Sequence, residues 1–370
     1  TRTRSVSSVR SMGGSLARRH TGAALAPPPP APHARPVTSD DTPGIDRPAV
    51  SAWLDNHMPE GDGPWHYELI AAGGSNLTYR LRDAHGRVYA LRRPPVGTAL
   101  ATAHDTDREW RIMQALGSAG AVAVPACLAR CDDVAVTGAP FYVMSFVDGL
   151  ILRTSADGGA LDRSEAEAAT EALICTQVAL HTVDLDAVGL ADLGRHDGYV
   201  ERQLRRWMRQ VDRAAAREVP LIGELHARLA GSIPPEKARP ALAHGDYRFD
   251  NVVLANDFTM AAVLDWELCT TGDPIADLAW SMQYWAAPGD ELTWLLDPPT
   301  TAPGCPTGDE VIERYRTATG FDLSDYPFYV AFSWWKQACI VEGVDARRLR
   351  GSTGGMAHSG SAARIAERVD

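Results

Sequence analysis

His244-Gly245-Asp246-Tyr247-Arg248-Phe249-Asp250-Asn251, followed past an apolar run by Leu264-Asp265-Trp266-Glu267, is the stretch that decides the fold of this chain. It has the form H-x-D-x-x-x-x-N with a further aspartate downstream. That order suits a catalytic loop, a short hairpin and a metal-holding carboxylate. Phosphoryl transfer needs one carboxylate to orient the accepting hydroxyl and oxygen ligands to hold Mg²⁺ on the nucleotide phosphates. Asp246 is placed for the first task, and Asn251 with Asp265 for the second. Arg248, two residues past Asp246, is read as a cation reaching the γ-phosphate. Tyr247 and Phe249 alternate with polar positions and should anchor the loop in the core. His244 reads as a backbone-bonded structural residue rather than a base, Asp250 as a solvent-facing turn residue, and Glu267 as an extra acid near the metal.

The material upstream fits the same chemistry. Gly73-Gly74-Ser75-Asn76 lies between two strand-like segments, Tyr67–Ala71 and Leu77–Leu81. Glycines there allow tight geometry, so that main-chain N–H groups face phosphate. A third strand, Arg87–Arg92, carries Arg92 where a phosphate-binding cation is wanted. Arg93 is the competitor, and on an alternating strand the two point to opposite faces. Asp105–Leu116 reads as a helix whose Glu109 is placed to pair with Arg92. Cys127–Arg130 and Phe141–Phe146 complete five strands. The last of them runs toward a hinge at Val147-Asp148-Gly149, where adenine would meet the main chain around Ser145 to Val147.

Beyond the hinge the pattern turns helical. Helices are expected over Asp162–Val183, Gly198–Arg217, Ile275–Trp285, Asp309–Thr317 and Pro327–Leu349, with the catalytic hairpin at 241–266. His181 is expected to pack or cap a helix end. Asp277, inside an apolar helix, needs partners because a buried charge without them is costly; the backbone of the catalytic loop is the natural one. The expected architecture is α+β and bilobal. Residues 1–45 form a disordered leader, 46–148 a nucleotide-binding lobe, 149–352 a catalytic and substrate-binding lobe, and 353–370 a tail. The leader is rich in Arg, Ser and Pro and lacks periodicity; its Arg/Ser bias resembles a transit peptide, but we read it as foreign to the folded body.

Composition bounds the function. The chain has 370 residues, 45% hydrophobic, and a net charge of −11. Six arginines and no acid fall within the first 39 residues, so the remainder is more acidic still. Such a body is a poor nucleic-acid binder, since phosphate contacts require a basic face. No apolar run approaches the roughly 20 residues needed to cross a bilayer. Six scattered cysteines without a CxxC read as reduced thiols in a cytoplasmic protein. Lysine occurs only at Lys237 and Lys336.

Taken together, Gly73 to Tyr79, Leu91-Arg92-Arg93-Pro94-Pro95, His244 to Asn251, Leu264 to Glu267 and Gly272-Asp273-Pro274 resemble the aminoglycoside phosphotransferase superfamily, a branch of the protein-kinase-like fold. The nearest group is its phosphotransferase enzyme family, which includes the kinase-like domain joined to some acyl-CoA dehydrogenases. Trp335-Lys336-Gln337-Ala338 and Glu342 to Arg348 also look like that group. The likeness spans about residues 48–350. It implies a small five-stranded antiparallel lobe on a larger helical lobe, ATP or GTP, Mg²⁺, and phosphorylation of a small-molecule hydroxyl. Asp246 carries over as catalytic base, and Asn251 and Asp265 as metal ligands. Arg92 stands where the superfamily usually has lysine.

For the acceptor, the last helical region offers Lys336 and Arg347 beside Trp334, Trp335 and Phe332. Glu342 and Asp345 stand among these cations, and a mixed, partly cationic and aromatic cleft suits an anionic or acyl-bearing hydroxy compound, such as a hydroxy acid or hydroxyacyl thioester. The rivals are an aminoglycoside or sugar kinase, and a nucleotide-binding pseudokinase that regulates a partner. A monomer or homodimer is expected.

Overall fold

The computed structural model describes residues 42–58, 60–72, 76–96, 103–214, 219–287 and 297–349. Five strands form one antiparallel sheet: β1 (His66–Ala72), β2 (Leu77–Arg82), β3 (Val88–Arg93), β4 (Cys127–Cys131) and β5 (Phe141–Ser145), in the order β1-β2-β3-β5-β4. Alternation sorts their side chains onto two faces. Tyr79, Leu81, Leu91, Phe141 and Val143 pack against Val50 and Leu54 of helix α1 (Arg47–His57). Ala90, Tyr142 and Met144 on the other face meet Ile112, Met113 and Leu116 of α2 (Ala103–Ala119). Burying each such aliphatic side chain is worth about 1.5–3 kcal/mol. Arg92 and Arg93 diverge as alternation requires. Arg92 turns toward the α2 face, while Arg93 is buried on the other side, donating to the carbonyls of Pro94 and Thr137. A short helix, α3 (Val134–Thr137), lies between β4 and β5.

The link out of the sheet is fixed by close approach. Leu150 and Leu254 exchange two backbone hydrogen bonds of 2.8 and 2.9 Å. A Cβ added to Gly149 would lie 2.3 Å from the Leu254 carbonyl oxygen, so only glycine fits there.

The second lobe contains α4 (Ser155–Gly159), α5 (Arg163–Thr182), α6 (Tyr199–Ala214), α7 (Pro220–Ala230), α8 (Pro274–Ser281), α9 (Gly308–Thr319) and α10 (Tyr326–Leu349). Two hairpin-like pairs sit among them: β6 (Ala241–Ala243) with β9 (Thr270–Gly272), and β7 (Val252–Leu254) with β8 (Met260–Val263). Helices α6, α7, α8 and α10 share a core around Leu204, Ile222, Leu225, Ile275, Phe332 and Trp335. Phe332 and Trp335 are buried there, so they do not line a cleft as the sequence suggested; Trp335 donates from Nε1 to the Ile222 carbonyl. Helix α8 is apolar along its length and begins at Asp273-Pro274, a side-chain cap followed by a proline at the first turn. Residues 1–41 of the leader, the 353–370 tail and Gly73–Ser75 lie outside the described residues. The leader's last residues, 42–45, are ordered against the sheet, with Ile45 buried in its core and the Pro43 carbonyl accepting from the Tyr79 hydroxyl at 2.6 Å, so the folded body begins a few residues earlier than expected. Among the described residues no helix is long and apolar enough to cross a membrane.

Candidate active site

The catalytic loop is held from below. Asp277 on α8 accepts the backbone N–H of His244 at 3.0 Å on one carboxylate oxygen and that of Gly245 at 2.9 Å on the other. His181 on α5 reaches the same carboxylate at 3.1 Å and bonds Tyr315 through its other nitrogen. Burial alone would raise the Asp277 pKa, but the hydrogen bond and charge of His181, with His244 and the Gly245 N–H, bring it below its ordinary value. His244 is itself structural. Its Nε2 bonds the Leu264 carbonyl at 2.9 Å and its Nδ1 accepts from the Asp246 N–H at 3.3 Å. Gly245 has φ +85, and an added Cβ would meet Leu268 atoms at 2.9 Å. The loop therefore requires glycine immediately before Asp246.

Asp246 is consequently presented with both oxygens engaged. Asn251 Nδ2 donates at 2.9 Å to one oxygen and at 2.8 Å to the Asp246 backbone carbonyl. Tyr284 donates its hydroxyl to the other at 2.5 Å. The tyrosine comes from beyond α8, and nothing local to the motif announces it. Tyr247 is anchored through its hydroxyl to the Leu173 carbonyl.

Asp265 follows β8 with φ 63 and ψ 63, a left-handed conformation that is strained for a residue with a Cβ. Its carboxylate meets Arg92 at 2.5 Å. Arg92 also pairs with Glu109 at 2.8 Å and with Glu267 at 3.4 Å. Glu109 is 1% exposed and in turn accepts from Tyr142 at 2.6 Å and from Asn76 at 3.0 Å. Asn76 donates to Glu267 as well, at 3.2 Å. Burial works against the Arg92 charge, but Tyr142, Glu109 and Asp265 more than offset it and hold its pKa above the ordinary guanidinium value. For Glu109, burial raises the pKa while Arg92 and Tyr142 oppose it.

Arg92, Glu109, Tyr142, Asn251 and Asp265 border a cleft of about 530 Å³ between the sheet and the helical lobe. That is within the usual range for a ligand site, roughly 300–1,000 Å³. Ala90, Met113, Met144 and Leu264 supply apolar walls, and Arg92, Asn251 and Asp265 lie at its polar end. Ser145 and Val147 line it too. The Ser145 N–H is spent on the Ala126 carbonyl at 2.9 Å, which moves any main-chain recognition along to Phe146 and Val147. Behind Asn76 and Glu267 lies a second cavity of about 330 Å³, bordered by Gly245, Trp207, Trp280 and Lys336.

Three sequence-derived positions stand elsewhere. Arg248 does not border the cleft. Its guanidinium lies 4.8 Å from the Tyr284 ring centre, with Asp246 at 3.5 Å and Asp250 at 3.3 Å, beside a cavity of about 30 Å³. Asp250 is not the solvent-facing turn residue expected. It is half-buried, and burial raises its pKa against the pull of Arg248. Arg347 is on α10, but its side chain is outside the described residues.

A five-stranded sheet set over a helical lobe, with a loop aspartate and a hairpin aspartate at the seam, defines a protein-kinase-like phosphotransferase. More narrowly, the chain belongs to the phosphotransferase enzyme family, whose model matches residues 66–329. Acyl-CoA dehydrogenase family member 11 of Gallus gallus is 39% identical over 290 residues, covering 76% of this chain and 37% of that protein. Member 10 of Mus musculus is 36% identical over 325 residues, covering 86% of this chain and 30% of that protein. The chain thus spans well under half the length of these relatives. A crystal structure from Ralstonia eutropha, provisionally named an aminoglycoside phosphotransferase, is 30% identical with a TM-score of 0.73, covering 88% of this chain and 96% of that one. An ADP-bound aminoglycoside phosphotransferase shares the fold at 12% identity, with a TM-score of 0.57 and coverage of 88% and 97%.

Proposed function

We propose that this chain is an ATP-dependent kinase that moves the γ-phosphoryl group onto a hydroxyl of a small hydroxy acid or hydroxyacyl thioester. The observation that carries the reading is that Asn251, which holds the Asp246 carboxylate, borders the cleft together with Asp265. The adenine of ATP, with GTP as the alternative, lies between the apolar walls against Phe146 and Val147. Its phosphates extend toward Arg92 and the turn that ends at Asn76. The names of the curated relatives support an acyl-bearing acceptor, and fold neighbours include ADP and ATP complexes.

The residues fit Mg²⁺. Asn251 spends its amide nitrogen on Asp246, which leaves the amide oxygen for a cation. The left-handed backbone at Asp265 turns a second oxygen donor to the cleft. Mg²⁺ takes few protein ligands and completes its shell with phosphate oxygens and water. When bound it neutralises charge on the phosphates. Among the described residues no group of three His, Cys, Asp or Glu forms a richer metal site.

The chain's own work is positioning and proton handling. Asp246, held by Asn251 and Tyr284, orients the acceptor hydroxyl and takes its proton as the oxygen bonds the γ-phosphorus and ADP leaves. Arg92 exchanges part of its bonding from Asp265 and Glu267 to phosphate, releasing Asp265 for the metal. The six free cysteines support a reducing cytoplasm as the compartment. The test is a hydroxy-metabolite panel screened for Mg²⁺-dependent ATP consumption. Asp246→Asn should cut turnover about 10²- to 10⁴-fold, the usual weight of a general base, while nucleotide binding persists. Equal activity in wild type and variant, or none with any acceptor, would favour the regulatory pseudokinase.

A further inference from the structure

Three cations border the second cavity with no carboxylate partner among the described residues; Arg108 donates to the Cys269 carbonyl, which leaves Lys336 and Arg206. Lys336 Nζ lies 3.8 Å from the ring centre of Trp280 and 5.9 Å from that of Trp207. The Arg206 guanidinium lies 5.4 Å from Trp207. Glu267 is the acid on the described wall, and it already receives Asn76 and Arg92. Lys336 is half-buried, fixed on α10 between the buried Trp335 and Gln337.

This arrangement is costly without a ligand. A lysine withdrawn from water loses hydration, and an indole face returns only about 0.5–2 kcal/mol. Burial pulls the Lys336 pKa down to about 8; Asp277 and Asp246 oppose the shift and Arg206 adds to it. An oxygen ligand seated on Nζ would supply what the indoles do not. The position is right for an acceptor. Gly245, which borders this cavity, precedes Asp246, and Asn251, which borders the cleft, donates to Asp246.

We propose that Lys336, backed by Arg206, is the specificity-determining residue of the acceptor site, binding an acyl oxygen of the acceptor and so selecting which hydroxyl along its chain reaches Asp246. The inference rests on the kinase reading and narrows it. Carboxylate and thioester carbonyl share the required chemistry, an acyl oxygen at one end of an aliphatic chain. Trp280 and Trp207 give that chain an apolar wall. The two cations repel an aminoglycoside, which would need acids where this cavity has Lys336 and Arg206.

The experiment uses the full chain and Lys336→Met, with Lys336→Arg as the conservative variant. Probes are straight-chain hydroxy acids with the hydroxyl at successive carbons, their N-acetylcysteamine thioesters, and matched diols without the acyl oxygen. Turnover is read as Mg²⁺-dependent ADP release, and binding separately by tryptophan fluorescence without nucleotide. The wild type should favour one hydroxyl position and prefer acyl probes to diols. Lys336→Met should raise KM for acyl probes about 10- to 100-fold, the weight of one charged hydrogen bond, with the loss in KM rather than kcat. Lys336→Arg should recover part of it. Whether acid or thioester shows the larger loss tells which acyl form the site takes. Equal losses for diols and acyl probes would reduce Lys336 to a packing residue and overturn the proposal. So would acyl binding indifferent to Lys336. Binding that depends on Lys336 without phosphorylation of any probe would uphold the subsite and refute the kinase reading.

Discussion

Replacing Arg92 with methionine separates the structural from the chemical weight of the cleft. The change keeps length but removes the cation that faces Glu109 at 2.8 Å, Asp265 at 2.5 Å and Glu267 at 3.4 Å. Glu109 is 1% exposed and Arg92 12%, so the pair is shielded from water. Removing one partner of a buried pair costs about 3–5 kcal/mol, because the other charge is left uncompensated. At roughly 2–4 °C per kcal/mol for a domain of this general size, Arg92→Met should lower Tm by about 6–20 °C. Adding Glu109→Gln removes the stranded charge while still accepting from Tyr142 and Asn76. The double variant should regain most of the lost stability, to within about 1–2 kcal/mol of wild type. Nucleotide affinity should not return with it, since the phosphates still lack their cation. The assay is a thermal melt of all four proteins beside a nucleotide titration. An unchanged Tm in Arg92→Met, or a double variant that melts lower than the single, would refute the reasoning.

Other outcomes follow from the loop and its support. Gly245→Ala should destabilise the fold by about 1–2 kcal/mol from the positive φ alone, with a further penalty from Leu268 at 2.9 Å, and should depress kcat; thermal melts and steady-state kinetics check this. Asp277 has a native pKa below its ordinary 3.8. Its contribution to stability is therefore fully present above that value and lost as pH falls through the lower native one. Denaturant melts between pH 6 and the acid limit should show a steeper acid loss in wild type than in Asp277→Asn, which should be weaker at neutral pH. Tyr284→Phe should lower kcat about 10-fold or more, the weight of one hydrogen bond to a carboxylate, with little change in nucleotide affinity.

What the sequence revealed was what lies close along the chain. The catalytic loop carries Asp246 and Asn251 within one turn, and the hairpin sets Asp265 by β-pairing, so their juxtaposition follows from local geometry. The opposed directions of Arg92 and Arg93 follow from strand alternation, and Asp277 from the cost of a charge in an apolar helix. Partners drawn from distant segments were not legible. Tyr284 meets Asp246, Asn76 meets Glu267, and Trp280 meets Lys336 only because the lobes and α8, α6 and α10 pack as they do. The partial burial of Asp250 was not legible for the same reason: it lines a small cavity whose other walls, Trp285, Pro299 and Thr300 among them, come from elsewhere in the chain. Helix α7 had a signal in Ile222, Leu225 and Leu229, obscured by Pro220 and Gly223. The very short β9 forms because β6 supplies its partner.

The measurement closest to the central claim is the binding of Mn²⁺, as a spectroscopic substitute for Mg²⁺, with a non-hydrolysable ATP analogue, followed by electron paramagnetic resonance. Asn251 and Asp265 should govern it, so Asp265→Asn and Asn251→Ala should each lose the nucleotide-dependent bound signal while Asp246→Asn retains it. A bound signal of wild-type strength in Asp265→Asn would contradict the assignment of the metal to these oxygens.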